Sequence, residues 1–108
     1  MKKKKSLTPL SGKQNKFLRS LGHHLTQTVI VDKEGITDNL IKSCNESLNA
    51  RELIKVKLGQ NCPVEKKEAA REIAEKTASH LIQLIGKTVL LYRHNPDLPR
   101  DEAIKLPR

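Results

Sequence analysis

Apolar and polar positions along this chain change their period several times, and each change marks an element. Phe17, Leu18, Leu21 and Leu25 recur at steps of three and four, the period of one helix face. Ser11-Gly12-Lys13-Gln14 stands just before them and fits the S-x-x-Q capping box that starts a helix. Gly22 and the paired His23 and His24 end it. Residues 28–31 are a short, continuous β-branched run, the pattern of a buried strand.

Gly35 leads into a second helix over about residues 37–50, with Thr37 or Asp38 as its cap. Leu40, Ile41, Cys44 and Leu48 form its buried stripe. Residues 52–58, ELIKVKL, alternate with a period of two. Ile54, Val56 and Leu58 face a core, and Lys55 and Lys57 face the other way, onto a solvated, basic side. Pro63 suits the first turn of a third helix ending near Ala78, with Ala69, Ala70, Ile73, Ala74 and Thr77 inward. Its outward charges are of mixed sign, the mark of a solvated face. Residues 81–85 and 88–93 are strands around Gly86-Lys87, and glycine at the first central position suits a type II′ hairpin. The tail from His94 holds Pro96, Pro99 and Pro107 and is expected to be irregular or draped on the body.

The order is α-β-α-β-α-β-β. It predicts an α/β fold, a four-stranded mixed sheet packed with three helices. Each β-α-β unit is expected to make a parallel pair, with the last hairpin adding an antiparallel one. Residues 1–10 read as a loose basic arm, 11–94 as one folded domain and 95–108 as the tail.

Charge sharpens this picture. The 108 residues carry 21 Lys and Arg against 12 Asp and Glu, a net charge of +9. Without the four lysines of residues 2–5 the excess is still +5, so the folded part is basic and favours a polyanionic partner. Phe17 and Tyr92 are the only Phe, Tyr or Trp residues, which argues against the several exposed rings of RRM and OB modules.

Cys44 and Cys62 form no C-x-x-C pair, and the four histidines supply no cluster at metal-ligand spacing, so no metal or cofactor is expected. Two free thiols fit a reducing cytoplasm. No secretory h-region and no apolar run of membrane-spanning length stand out, which implies a soluble protein without membrane contact. No G-x-S-x-G, Walker, H-E-x-x-H or dinucleotide fingerprint appears, so catalysis is not expected.

The blocks LSGKQNKFLRSLGHHLTQTVIV, GITDNLI, ELIKVKL and LIGKTVLLYR, with a terminal LPR, resemble the CRM domain. They are most similar to its single-domain bacterial form, the YhbY-like RNA-binding proteins, over about residues 7–108. That resemblance implies a fold similar to the C-terminal domain of bacterial translation initiation factor three. It also implies non-catalytic binding of ribosomal RNA in large-subunit (pre-50S) assembly. The family carries a GxxG loop after its first strand. Here those positions are Asp32-Lys33-Glu34-Gly35, with the second glycine kept and the first replaced by aspartate.

Candidate RNA contacts follow. Lys13, Lys16 and Arg19 form a stripe on the first helix. Lys33 and Gly35 belong to the turn, which is either a weakened phosphate contact or plain architecture. Lys55 and Lys57 stand on the second strand, and Lys87 on the hairpin. Arg93 ends the last strand, where it could fork to a phosphate or pair inside the protein. A monomer is expected. The competing reading is an adaptor whose charge docks on ribosome-associated or other acidic proteins.

Overall fold

The computed structural model describes residues 9–26 and 29–108; most of the expected arm, and Thr28 of the first strand, lie outside them. The elements are α1 (Gly12–Gly22), β1 (Val29–Val31), α2 (Asp38–Arg51), β2 (Leu53–Leu58), α3 (Lys66–Thr77), β3 (His80–Ile85) and β4 (Thr88–Tyr92). The α/β class and the element order agree with the sequence reading.

Local chemistry explains most boundaries. The Ser11 hydroxyl accepts from Gln14 N while the Gln14 side chain accepts from Ser11 N, a complete capping box. Thr37 caps α2 through Leu40 N at 3.1 Å. Gly86 has φ +57° while Lys87 does not adopt positive φ, as a type II′ turn requires. Helix α3 starts three residues later than Pro63 suggests. Glu65 is its cap, accepting from Lys67 N and Glu68 N, and Pro63 stays in the preceding loop.

The sheet order is β1-β2-β4-β3. β1 and β2 are parallel, as their β-α-β connection predicts; β4 is antiparallel to both β2 and β3. The second expected parallel pair is therefore not hydrogen-bonded: β4 folds back from the hairpin and takes the place between β2 and β3.

Helices cover both faces. Cys44 and Leu48 of α2 and Ala69, Ala70 and Ile73 of α3 pack on Ile54, Val56, Val89 and Leu91. On the other face Leu18 of α1 packs with Leu53, Ile82, Leu90 and Tyr92, flanked by Phe17, Leu21, Ile104 and Leu106. The tail has no helix or strand, yet it completes this second layer. Gln14 donates to Pro107 O at 2.9 Å.

Helix α1 approaches β4 so closely that a Cβ on Gly22 would stand 2.6 Å from Leu90 Cδ2. A larger residue at 22 would therefore have to displace the Leu90 side chain. Tyr92 is buried and stacks on His80 with ring centroids 6.1 Å apart. Burial first, and the Glu52 charge second, push its hydroxyl pKa up to about 12.

Candidate nucleic-acid interface

β1, β2 and the β3–β4 hairpin finish at one end of the sheet. Gly59 N, just past β2, donates to Val31 O at 2.7 Å, and Leu58 N donates to Lys87 O at 2.7 Å. The turn carrying Lys33, the last turn of β2 and the hairpin carrying Lys87 are therefore held together. Lys33, Lys57 and Lys87 are all exposed.

Helix α1 covers only part of its sheet face. Beyond its C-terminal end a row crosses all four strands: Ile30 opposite Lys57, Lys57 opposite Thr88, and Thr88 opposite Ile85. Directly opposed residues share a face. Ile30 is 63% exposed and Ile85 57%. The expectation that the first strand is buried throughout is corrected here. β1 is an edge strand with one side against the α2–α3 core and the other, at Ile30, open.

Behind this row stands a second one, Lys55 of β2, Leu90 of β4 and Gln83 of β3. Between it and the end of α1 lies a cleft of about 280 Å³ lined by His23, Lys55, Gln83, Ile85, Thr88 and the Gly22–Leu90 contact. Lys55 is half-buried, and its ammonium donates to Leu25 O at 3.1 Å. It is not the freely solvated lysine that strand alternation suggests, because the segment after α1 folds over it. Of the pair, Lys57 is the exposed one.

The Asp32–Gly35 turn is organised by its own groups. Gly35 N donates to Asp32 O at 2.9 Å, and Lys33 N donates to the Asp32 carboxylate at 2.8 Å. Gly35 alone of the four has positive φ, +74°, and it is buried with Pro63 Cγ 3.2 Å from where a Cβ would sit. Glycine is needed there for backbone shape and packing, and its N–H is engaged within the turn. At the outer edge of β1 a second cleft, about 340 Å³, is lined by Asp32, Glu34, Thr37, Asn39 and Ser43. Asp38 lies in the first turn of α2. Carboxylates and the Thr37 cap thus already occupy the positive end of the α2 dipole, and the cleft is poorly suited to an anion.

Lys13 and Lys16 are exposed on the outer side of α1, and Arg19 is half-buried beside them. His23, two turns on from Lys16, carries this side of the helix into the cleft. Arg93 lies at the far end of the sheet. Its guanidinium donates to Asn45 Oδ1 and Thr77 O at 2.8 and 2.6 Å, and to Asn49 Oδ1 and Asn45 O at 2.8 and 3.2 Å. Burial lowers its pKa from the ordinary value. Of the two roles the sequence leaves open for Arg93, the structure shows the internal one: a tie between α2 and the end of α3, made through amide and carbonyl oxygens.

The structure therefore gathers Lys33, Lys57 and Lys87 with Lys55 behind them, joins them to the α1 stripe through His23, and leaves Arg93 out. Sequence reasoning missed Ile30, Gln83, Ile85 and Thr88. Only their neighbours across the sheet reveal that they are uncovered. Among the described residues no group of three or more His, Cys, Asp or Glu could hold a metal ion, and no helix is long and apolar enough to cross a membrane.

A family model described as the CRS1 / YhbY (CRM) domain matches residues 10–93. A probable RNA-binding protein of Bacillus subtilis, YqeI, is 45% identical over 98 residues, which cover 91% of this chain and 99% of the relative. An RNA-binding protein of Haemophilus influenzae is 37% identical over 103 residues, covering 94% and 99%. The solution structure of SAV1595 from Staphylococcus aureus superposes with a TM-score of 0.74 at 40% identity, covering 92% of this chain and 100% of that one.

Proposed function

Because the chain belongs to the CRS1 / YhbY (CRM) domain family, we propose that it is a non-catalytic RNA-binding protein whose target is ribosomal RNA within large-subunit (pre-50S) precursors. The observation that carries the reading is the uncovered half-sheet, where Lys57 crosses the middle of the row and Lys33 and Lys87 stand at its rim. Such a surface offers one phosphate contact on a strand, Lys57, and two on turns tied to the end of the sheet, Lys33 and Lys87. The stripe of Lys13, Lys16 and Arg19 extends it along α1, so a folded RNA segment is engaged on two adjoining elements. Lys55 contributes charge from behind the row, and Gly35 acts by shaping the turn that presents Lys33. The RNA-binding names of relatives at 37–45% identity support the same reading.

Phosphate contacts release counterions, so affinity for structured ribosomal RNA is expected to fall linearly on a log–log plot against salt, by about 0.9 per contact on a duplex and about 0.7 on a single strand. Binding that barely changes between low and moderate salt would refute the electrostatic mechanism. The ribosomal target is tested by sedimenting cell extract before and after nuclease. Co-migration with precursor particles that is lost on RNA digestion supports it; persistence on protein partners supports a docking adaptor in its place.

A further inference from the structure

We infer that the cleft between the end of α1 and the β3–β4 hairpin seats one unpaired nucleobase, with the flanking phosphates on Lys57 and Lys87. This rests on the RNA-binding reading and makes it more specific, since a surface that read only backbone would need no such recess.

Three features of the cleft point to a base. It is small, about 280 Å³, just under the roughly 300 Å³ lower bound of drug-sized sites, so it suits a single planar group. Its lining is divided as a base requires. Exposed Ile85 offers apolar surface for a ring face above the buried Leu90, and Gln83 and Thr88 offer donors and acceptors for a ring edge. Finally, it contains an aromatic ring after all. His23 is exposed at the end of α1 and lines the cleft. Histidine is one of the side chains on which unstacked RNA bases lie, and a count of Phe, Tyr and Trp overlooks it.

Charge selects this occupant over an apolar peptide. Lys57 is directly opposite Thr88 on the same sheet face, Lys87 precedes Thr88 in the chain, and Lys55 lines the cleft wall. A base entering beside Thr88 brings its own 5′ and 3′ phosphates to those ammonium groups. In a continuous duplex the base is paired and stacked, so the recess favours a loop, bulge or single strand.

The test compares a single-stranded octamer mixture with a fully paired duplex of the same length. Both are bound to the wild-type chain, His23→Ala, His23→Phe, Gln83→Ala and the Lys57→Ala/Lys87→Ala double variant. All the substituted positions are exposed or half-exposed. Wild type is expected to bind the single strand at least fivefold more tightly. His23→Ala should lower single-strand affinity fivefold or more without changing duplex affinity, and His23→Phe should restore it, because an aromatic ring is kept. Gln83→Ala should change the preference among A8, C8, G8 and U8. The lysine double variant should weaken both ligands.

Equal wild-type affinity for the two ligands, with no effect of His23→Ala, overturns the base seat and leaves salt-dependent RNA binding standing. Loss in His23→Phe as great as in His23→Ala overturns the stacking role. A wild-type chain that binds neither RNA overturns the seat together with the reading beneath it.

Discussion

The Glu52 carboxylate accepts a hydrogen bond from Ile104 N at 2.7 Å, across 52 positions of chain. Its other oxygen accepts from Asn95 N at 2.7 Å and meets His94 Nδ1 at 3.2 Å. The side chain is fully buried, and its backbone caps α2 with φ 65°, accepting from Arg93 N through its carbonyl. One residue thus ends a helix, opens β2 and anchors the C-terminal segment that seals the α1 side of the core.

Glu52→Ala is therefore expected to destabilise the fold by about 1–4 kcal/mol, since the part-buried Asn95 and Ile104 amides lose a charged acceptor and an unpartnered buried amide costs roughly 1–3 kcal/mol. Urea denaturation measures the loss. Deleting residues 104–108 should cost less in the Glu52→Ala background than in the wild type, because the two changes break one shared contact. Strict additivity would show that the carboxylate does not hold the tail.

Arg93 and Lys57 should separate stability from binding. Arg93→Lys loses the planar fork that reaches Asn45, Asn49 and Thr77, with an expected cost of about 1.5–3 kcal/mol for hydrogen bonds from a charged group. Its RNA affinity at a temperature where it remains folded should equal that of wild type. Lys57→Ala should leave the denaturation midpoint within about 0.5 kcal/mol and reduce the salt slope of RNA binding by about 0.7–0.9. The opposite pattern would place phosphate on Arg93.

Asp32→Gly tests the turn. The Asp32 carboxylate accepts from Lys33 N, so glycine removes a negative charge and releases an amide beside Lys33. If RNA phosphate reaches this turn, affinity should rise about two- to fivefold, the range of an exposed charge effect of about 0.3–1 kcal/mol. Unchanged affinity in a titration at low salt would leave the turn as architecture and move the contact surface to the sheet and α1.

His80 gives the fold a pH dependence of known sign. Burial lowers its pKa below the ordinary 6.5, so the folded state disfavours the protonated ring. Its contribution is complete above pH 6.5, where both states are neutral, and is lost as pH falls from there through the folded value. Thermal melts from pH 7.5 to 5 should show a smaller acid-side decline for His80→Gln than for wild type. An identical decline would assign the effect to other groups.

Cys44 should be chemically silent. It is fully buried, and burial pushes its thiol up to about 11. Iodoacetamide at pH 8 should label half-buried Cys62 first and Cys44 only at the rate of unfolding, as read by intact-mass measurement over time. Early labelling of Cys44 would contradict its packing.

Local chemistry carries a good part of this protein in plain view. The Ser11–Gln14 capping box, the Thr37 cap, the two-period alternation of β2 and the Gly86 turn depend on residues a few positions apart, so they determine the elements and their order from sequence alone. The Cys44 and Leu48 stripe likewise marks which side of α2 is inward. What those patterns do not contain is which neighbour covers each face. Ile30 sits in a β-branched run that looks buried, but α1 stops short of it. Lys55 alternates outward, but Leu25 folds over it. Arg93 is open in sequence between a phosphate and an internal partner, and Glu52 looks like a surface charge at a strand end; yet Arg93 joins two helices and Glu52 holds a tail 43 to 52 positions away. Period and propensity report on a residue's own element. Coverage, pairing partners and the cleft beside His23 exist only once distant segments are brought together, and there the tertiary structure alone decides.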